Sequence, residues 1–82
     1  MSSIQNHGEV TSRITKFFTE QGKNVESTDQ LFETGIIDSL SLLEMVVFIE
    51  REFCVELDQD MMNIENFETI EKIALLVLSL AD

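Results

Sequence analysis

The sequence predicts an all-α protein, a small four-helix bundle of three main helices plus one short helix. Three observations carry that expectation. Apolar residues recur at helical spacing in three separate stretches, no stretch alternates as a half-buried strand would, and 82 residues can enclose one modest core and little else. With 44% hydrophobic residues, six Phe and four Met, the chain has material for that core without a disulfide or a structural metal. Residues 1–82 read as a single domain, without internal repeats, low-complexity segments or a domain linker.

The first helix is expected from about Asn6 to Gln21, because Val10, Ile14, Phe17 and Phe18 fall at i, i+4, i+7 and i+8 and form one apolar stripe. Gly22, just past the last periodic residue, is the stop signal. From Lys23 to Asp38 no period fits, yet Val25, Leu31, Phe32, Ile36 and Ile37 punctuate the stretch and would anchor it to a core. An aperiodic connection of about 15 residues is uncommon in a compact domain and is usually functional or disordered; the spaced anchors favour order. The second helix should open at Asp38 or Ser39, with Asp38 as N-cap, and end near Phe53. Along it Leu42, Val46, Ile49 and Phe53 form one stripe, while Leu40, Leu43 and Val47 form another beside Glu44 and Arg51. A surface helix has a polar back, so this one is either central or leaves its second stripe exposed for a partner. Residues 58–64 read as a short helical turn capped by Asp58 and containing Met61 and Met62. The last helix is expected from about Thr69 to Leu80, capped by Thr69, with Ile70, Ile73, Ala74, Val77 and Leu78 facing the core.

Composition excludes several function classes. The longest wholly apolar runs, Met45 to Ile49 and Ile73 to Leu78, fall far short of the ~20 residues a membrane-spanning helix needs, so no membrane insertion is expected. Residues 1–10 have neither a basic start nor an apolar stretch, so they do not read as a secretion signal, and a cytoplasmic location is expected. Cys54 is the only cysteine, which precludes an internal disulfide and suits a reducing compartment; it reads as a small, partly buried hydrophobe. Net charge is −11, and between Asn24 and Glu71 thirteen Asp/Glu stand against the single base Arg51. Such a surface repels phosphate backbones and acidic headgroups, which argues against nucleic-acid binding and for partners with basic docking patches. By itself a charge run is more often plain solvated surface.

Catalysis by side chains has little to stand on. His7, the only histidine, lies in a terminal segment expected to fray, and one Cys with one His makes no zinc site. Asp58 and Asp60 have the spacing of the first calcium-loop ligands, but Met62, Asn63 and Thr69 stand where a fifth-position ligand, a glycine and a glutamate are required. Glu50 and Glu52 read as solvated surface. What remains is Ser39. A serine in the first turn of a helix is normally a capping element. Here, however, a long anchored loop ending in Gly35-Ile36-Ile37 delivers it to a helix N-terminus, whose free N–H groups and positive dipole end suit an attached phosphate. The stripe of Leu40, Leu43 and Val47 then offers a docking surface beside its hydroxyl.

The run Leu31-Phe32-Glu33-Thr34-Gly35-Ile36-Ile37-Asp38-Ser39-Leu40, continued by Leu43-Glu44 and closed by Ile49-Glu50-Arg51-Glu52-Phe53, resembles the acyl and peptidyl carrier protein family. The order of helices, the acidic middle and Thr69-Ile70 before the last helix agree, and the resemblance covers about Ile4 to Leu80. It implies that Ser39 is esterified with a covalent 4'-phosphopantetheine by a phosphopantetheinyl transferase, with coenzyme A as donor. It implies further that Asp38 helps position the metal-bound coenzyme A in the transferase complex, and that Leu40, Leu43, Glu44 and Val47 form the recognition helix. The protein would be a monomeric carrier and no enzyme: acyl- or aminoacyl-loading and processing enzymes would act on cargo held on the arm's thiol.

Ser41, at a position often acidic in fatty-acid carriers, and Arg51, a base where those carriers have an acid, move the expectation toward an acyl carrier of a specialised lipid or secondary-metabolite pathway. A stand-alone aminoacyl or peptidyl carrier is the alternative. An acidic helical interaction module without a prosthetic group is a more distant one. Cys54 replaces a glycine common among relatives after the second helix, so a slightly different turn is expected there.

Overall fold

The computed structural model describes residues 6–80, so Ile4, where the resemblance begins, and the first half of the stretch 1–10 that does not read as a secretion signal lie outside the described residues. Three α-helices are present: α1 (His7–Glu20), α2 (Ser39–Phe53) and α3 (Ile70–Leu80). Two short 3-10 turns, Gln59–Met61 and Ile64–Phe67, stand where one short helix was expected, and no strand occurs among the described residues. The all-helical class therefore holds, with the fourth element broken in two. The break has a local cause: the Asn63 side chain accepts from the Asn66 amide at 2.9 Å and donates to the Asp60 carbonyl at 2.9 Å, closing one turn and opening the next. The cap expected at Asp58 makes no side-chain hydrogen bond.

Helix α1 begins at His7, within the segment expected to fray, because Asn6 caps it by accepting from the Glu9 amide at 2.8 Å. It ends in a paired closure. The Gly22 amide donates to Thr19 O at 2.9 Å and the Lys23 amide to Phe18 O at 2.9 Å, with Gly22 in the left-handed region at φ 79°. This is the Schellman arrangement that a glycine after the last turn permits. Thr69 caps α3 as expected, its hydroxyl accepting from the Lys72 amide at 3.0 Å.

The core is built from all three helices and the loops: Val10, Ile14 and Phe18 from α1, Met45, Val46, Ile49 and Phe53 from α2, Ile70, Ile73, Ala74 and Val77 from α3, with Val25, Leu31, Ile37, Leu57 and Phe67 between them. Phe17, Leu42 and Leu78, expected inside, are only partly buried at its edge. The backbones of α1 and α3 approach closely, whereas α2 stands off behind large side chains. Phe17 meets Phe48 at 4.5 Å between ring centroids, and Arg13 places its guanidinium 5.9 Å from the Phe53 ring while pairing with Glu52 at 3.4 Å and Glu9 at 3.0 Å. These contacts set α2 antiparallel to α1. Among the described residues no helix is long and apolar enough to cross a membrane.

Two carboxylates read as plain surface have structural work. Glu52 is the one held by Arg13, and Glu50 accepts from the Leu57 amide at 3.0 Å, folding the chain back after α2. Cys54 also departs from expectation. It is exposed, and it adopts the left-handed geometry at φ 56°, ψ 45° that a glycine would take, so the turn keeps its shape at the cost of Cβ strain.

Candidate functional site

The loop from Lys23 to Asp38 is ordered through three kinds of restraint. Val25, Leu31 and Ile37 are buried, with Phe32 and Ile36 packed against the core. Backbone bonds tie it to the start of α3: the Leu31 amide donates to Glu68 O at 2.8 Å and the Glu71 amide to Ser27 O at 3.1 Å. Within the loop the Ile37 amide donates back to Leu31 O at 3.0 Å, and Gly35 turns the chain at φ 79°. These restraints bring the chain to the mouth of α2 in a single register.

At that mouth Asp38 is extended, and its carboxylate accepts from the Ser41 amide at 2.9 Å. Hydrogen bonds from the Ser41 amide and hydroxyl hold the Asp38 carboxyl below its ordinary value, with further help from the Leu40 amide and the positive charge of Lys23. Asp38 is therefore anionic over the whole physiological range. Its cap also alters one expectation: the Ser41 amide is occupied by a carboxylate, so the first turn is only partly free to receive a phosphate.

Ser39 is the first residue of α2 and is exposed. The contrast with Ser41, two positions on, is informative. Ser41 is partly buried and committed to Asp38, whereas Ser39 is exposed. The residues present fit a covalently attached phosphodiester: the hydroxyl is reachable, the helix dipole favours negative charge, and neighbouring bulk does not cover it.

The second stripe of α2 stays in solvent. Leu40 is 67% exposed, Leu43 60% and Val47 51%, and Glu44 and Arg51 are exposed alongside them. Four apolar residues of the same helix, Met45, Val46, Ile49 and Phe53, are buried on the opposite side. Leu40, Leu43 and Val47 form an exposed apolar strip bordered by charge on the helix that Ser39 opens.

One participant was not anticipated. The Lys23 ammonium donates to the Ile36 carbonyl at 3.0 Å, bridging 13 positions of sequence. A lone lysine after a helix stop carries no sequence signal for such a contact, because the partner is a backbone oxygen.

Comparison with protein-family models gives a match to the phosphopantetheine attachment site family over residues 9–77. Searches of curated proteins and of solved structures found no match. The family match spans α1, the anchored loop, α2 and nearly all of α3, so the exposed serine, its aspartate cap and the solvent-facing apolar strip all lie inside it. The chain belongs to the phosphopantetheine-binding carrier family, whose domains carry a covalently attached 4'-phosphopantetheine.

Proposed function

We propose that the protein is an acyl carrier that receives its arm on Ser39 and presents acyl cargo to partner enzymes of a specialised lipid or secondary-metabolite pathway. The observation that carries the assignment to Ser39 is its position: an exposed hydroxyl at the first residue of α2, at the end of a loop pinned to the core. In arm transfer the Ser39 hydroxyl oxygen forms a bond to the β-phosphorus of coenzyme A, the phosphoanhydride bond breaks, adenosine 3',5'-bisphosphate leaves, and the serine proton is released. Asp38, whose carboxyl is held below its ordinary value next to Ser39, would help position the metal-bound coenzyme A in the transferase complex. The bound arm supplies a terminal thiol that holds acyl groups as thioesters. The chain's own part is then presentation: Leu40, Leu43 and Val47 offer apolar contact, Glu44 offers a carboxylate to a basic patch on the visiting enzyme, and α2 fixes both relative to Ser39. The unpaired Cys54 thiol is compatible with a reducing cytoplasmic location.

Incubation with coenzyme A, magnesium and a broad-specificity phosphopantetheinyl transferase, followed by intact-mass measurement, tests the assignment. Wild type gains one arm. Ser39→Ala, which removes an exposed oxygen and keeps the Asp38 cap, gains none and melts like wild type. A gain that survives this substitution would place the attachment elsewhere, and retained biological activity in the folded variant would favour an interaction module instead.

A further inference from the structure

The geometry points to Lys23 as a positioning residue for modification of Ser39: a clasp from the end of α1 that fixes the last loop residues and so the direction in which the serine hydroxyl is offered. The inference rests on Ser39 being the attachment point.

Both halves of the clasp are restrained. On the Lys23 side, the backbone is held by the closure of α1, in which its amide donates to Phe18 O at 2.9 Å beside the left-handed Gly22. The side chain is partly buried and ends on the Ile36 carbonyl at 3.0 Å. On the loop side, Ile36 lies between Gly35, whose positive φ makes it a point of easy rotation, and Ile37, whose side chain is buried. The Ile36 carbonyl thus belongs to the last peptide before the buried anchor that leads into Asp38 and Ser39. A charged donor on that oxygen opposes rotation at Gly35, and hydrogen bonds to charged groups are the stronger kind.

Charge placement gives a second argument. Arg51 lies on the last turn of α2 and Lys72 is paired with Glu68, whereas Lys23 is the cation whose charge acts on Asp38, next to Ser39. When a phosphodiester is added at Ser39, Lys23 becomes the positive counterweight to two neighbouring anions, which suits both the unmodified and the modified protein.

The prediction concerns orientation, not docking, because Lys23 is not on the exposed stripe of α2. Steady-state transfer of the arm is measured with the full chain, coenzyme A, magnesium and one phosphopantetheinyl transferase. For Lys23→Met, kcat falls about three- to tenfold while the KM for the carrier stays within about twofold. Lys23→Arg, which keeps a cationic donor, restores most of kcat. Lys16→Met, on the exposed side of α1, has no effect. Unchanged kcat in Lys23→Met overturns the inference, as does a rise in KM alone, which would make Lys23 a docking residue, or an equal loss in Lys23→Arg. Wild type that gains no arm defeats the assignment of Ser39 itself, a result distinct from wild type and Lys23→Met gaining it at equal rates. Should Lys23→Met fail to fold, nitrogen NMR of the wild-type lysine side chains supplies the test: a Lys23 ammonium with coupling to the Ile36 carbonyl supports the clasp, and a freely rotating, fast-exchanging one overturns it.

Discussion

The two faces of α2 are almost equally apolar, yet they serve opposite ends. Met45, Val46, Ile49 and Phe53 are withdrawn from water, whereas Leu40, Leu43 and Val47 remain more than half exposed. Burial stabilises the fold roughly in proportion to apolar area removed from water. The first face therefore holds the bundle together, and the second is an apolar area that the folded monomer leaves unused. Hydrophobicity alone does not separate them; position relative to α1 and α3 does.

The sharpest way to break the comparison is to truncate a residue on each face. Ile49 is fully buried, so Ile49→Ala should cost about 2–5 kcal/mol in urea unfolding, a loss large enough to threaten the fold of so small a chain. A smaller effect is expected where the loop turns toward α2. Gly35→Ala meets no steric obstacle but must hold a side chain at φ 79°, and should lose about 1–2 kcal/mol by the same assay. Full retention of stability would mean that the loop relaxes, and the strict register of Ser39 would then be in doubt.

Acid provides a third probe, directed at the junction of the two faces. The folded Asp38 carboxyl sits below its ordinary value of 3.8, so its contribution is fully present above that value and is lost as pH falls through the lower folded pKa. The stability gap between wild type and Asp38→Asn should accordingly narrow in acid and stay constant near neutrality. A gap that widened on acidification would contradict the cap. The smallest change in stability is expected on the exposed face, where Leu43→Ala should fall within about 0.5 kcal/mol of wild type. Its effect should emerge instead as a raised KM for the carrier in arm transfer. A large destabilisation by this variant, or no change in KM, would erase the distinction between the faces.

Much of this was legible in the residues. The spacing of Val10, Ile14 and Phe18, and of Ile70, Ile73, Ala74 and Val77, marks the core sides of α1 and α3 because both patterns act within a few turns. Asp38 and Thr69 announce their helices for the same reason: a cap bonds to an amide three residues on. The second 3-10 turn was missed, since the Asn63 side chain accepts from the Asn66 amide and the Asn66 side chain donates to the Met61 carbonyl without any apolar period. Cys54 was misread because nothing local requires a cysteine to be outside, and only the end of α2 put it in a left-handed, solvent-facing position. Glu52 is exposed as expected, but its partner Arg13, like the Leu57 amide held by the half-buried Glu50, is chosen by the packing of separate segments and went unread.

Residue order by itself determined where the helices run, which serine follows an aspartate cap at a helix mouth, and how acidic the middle of the chain is, because each depends on neighbours within a turn or on composition. Tertiary structure alone decided between a central α2 and one whose second stripe meets water, and which residue, Lys23, reaches across to the loop that leads to Ser39. Those outcomes depend on segments far apart in the chain competing for the same small core, and no local rule records who wins.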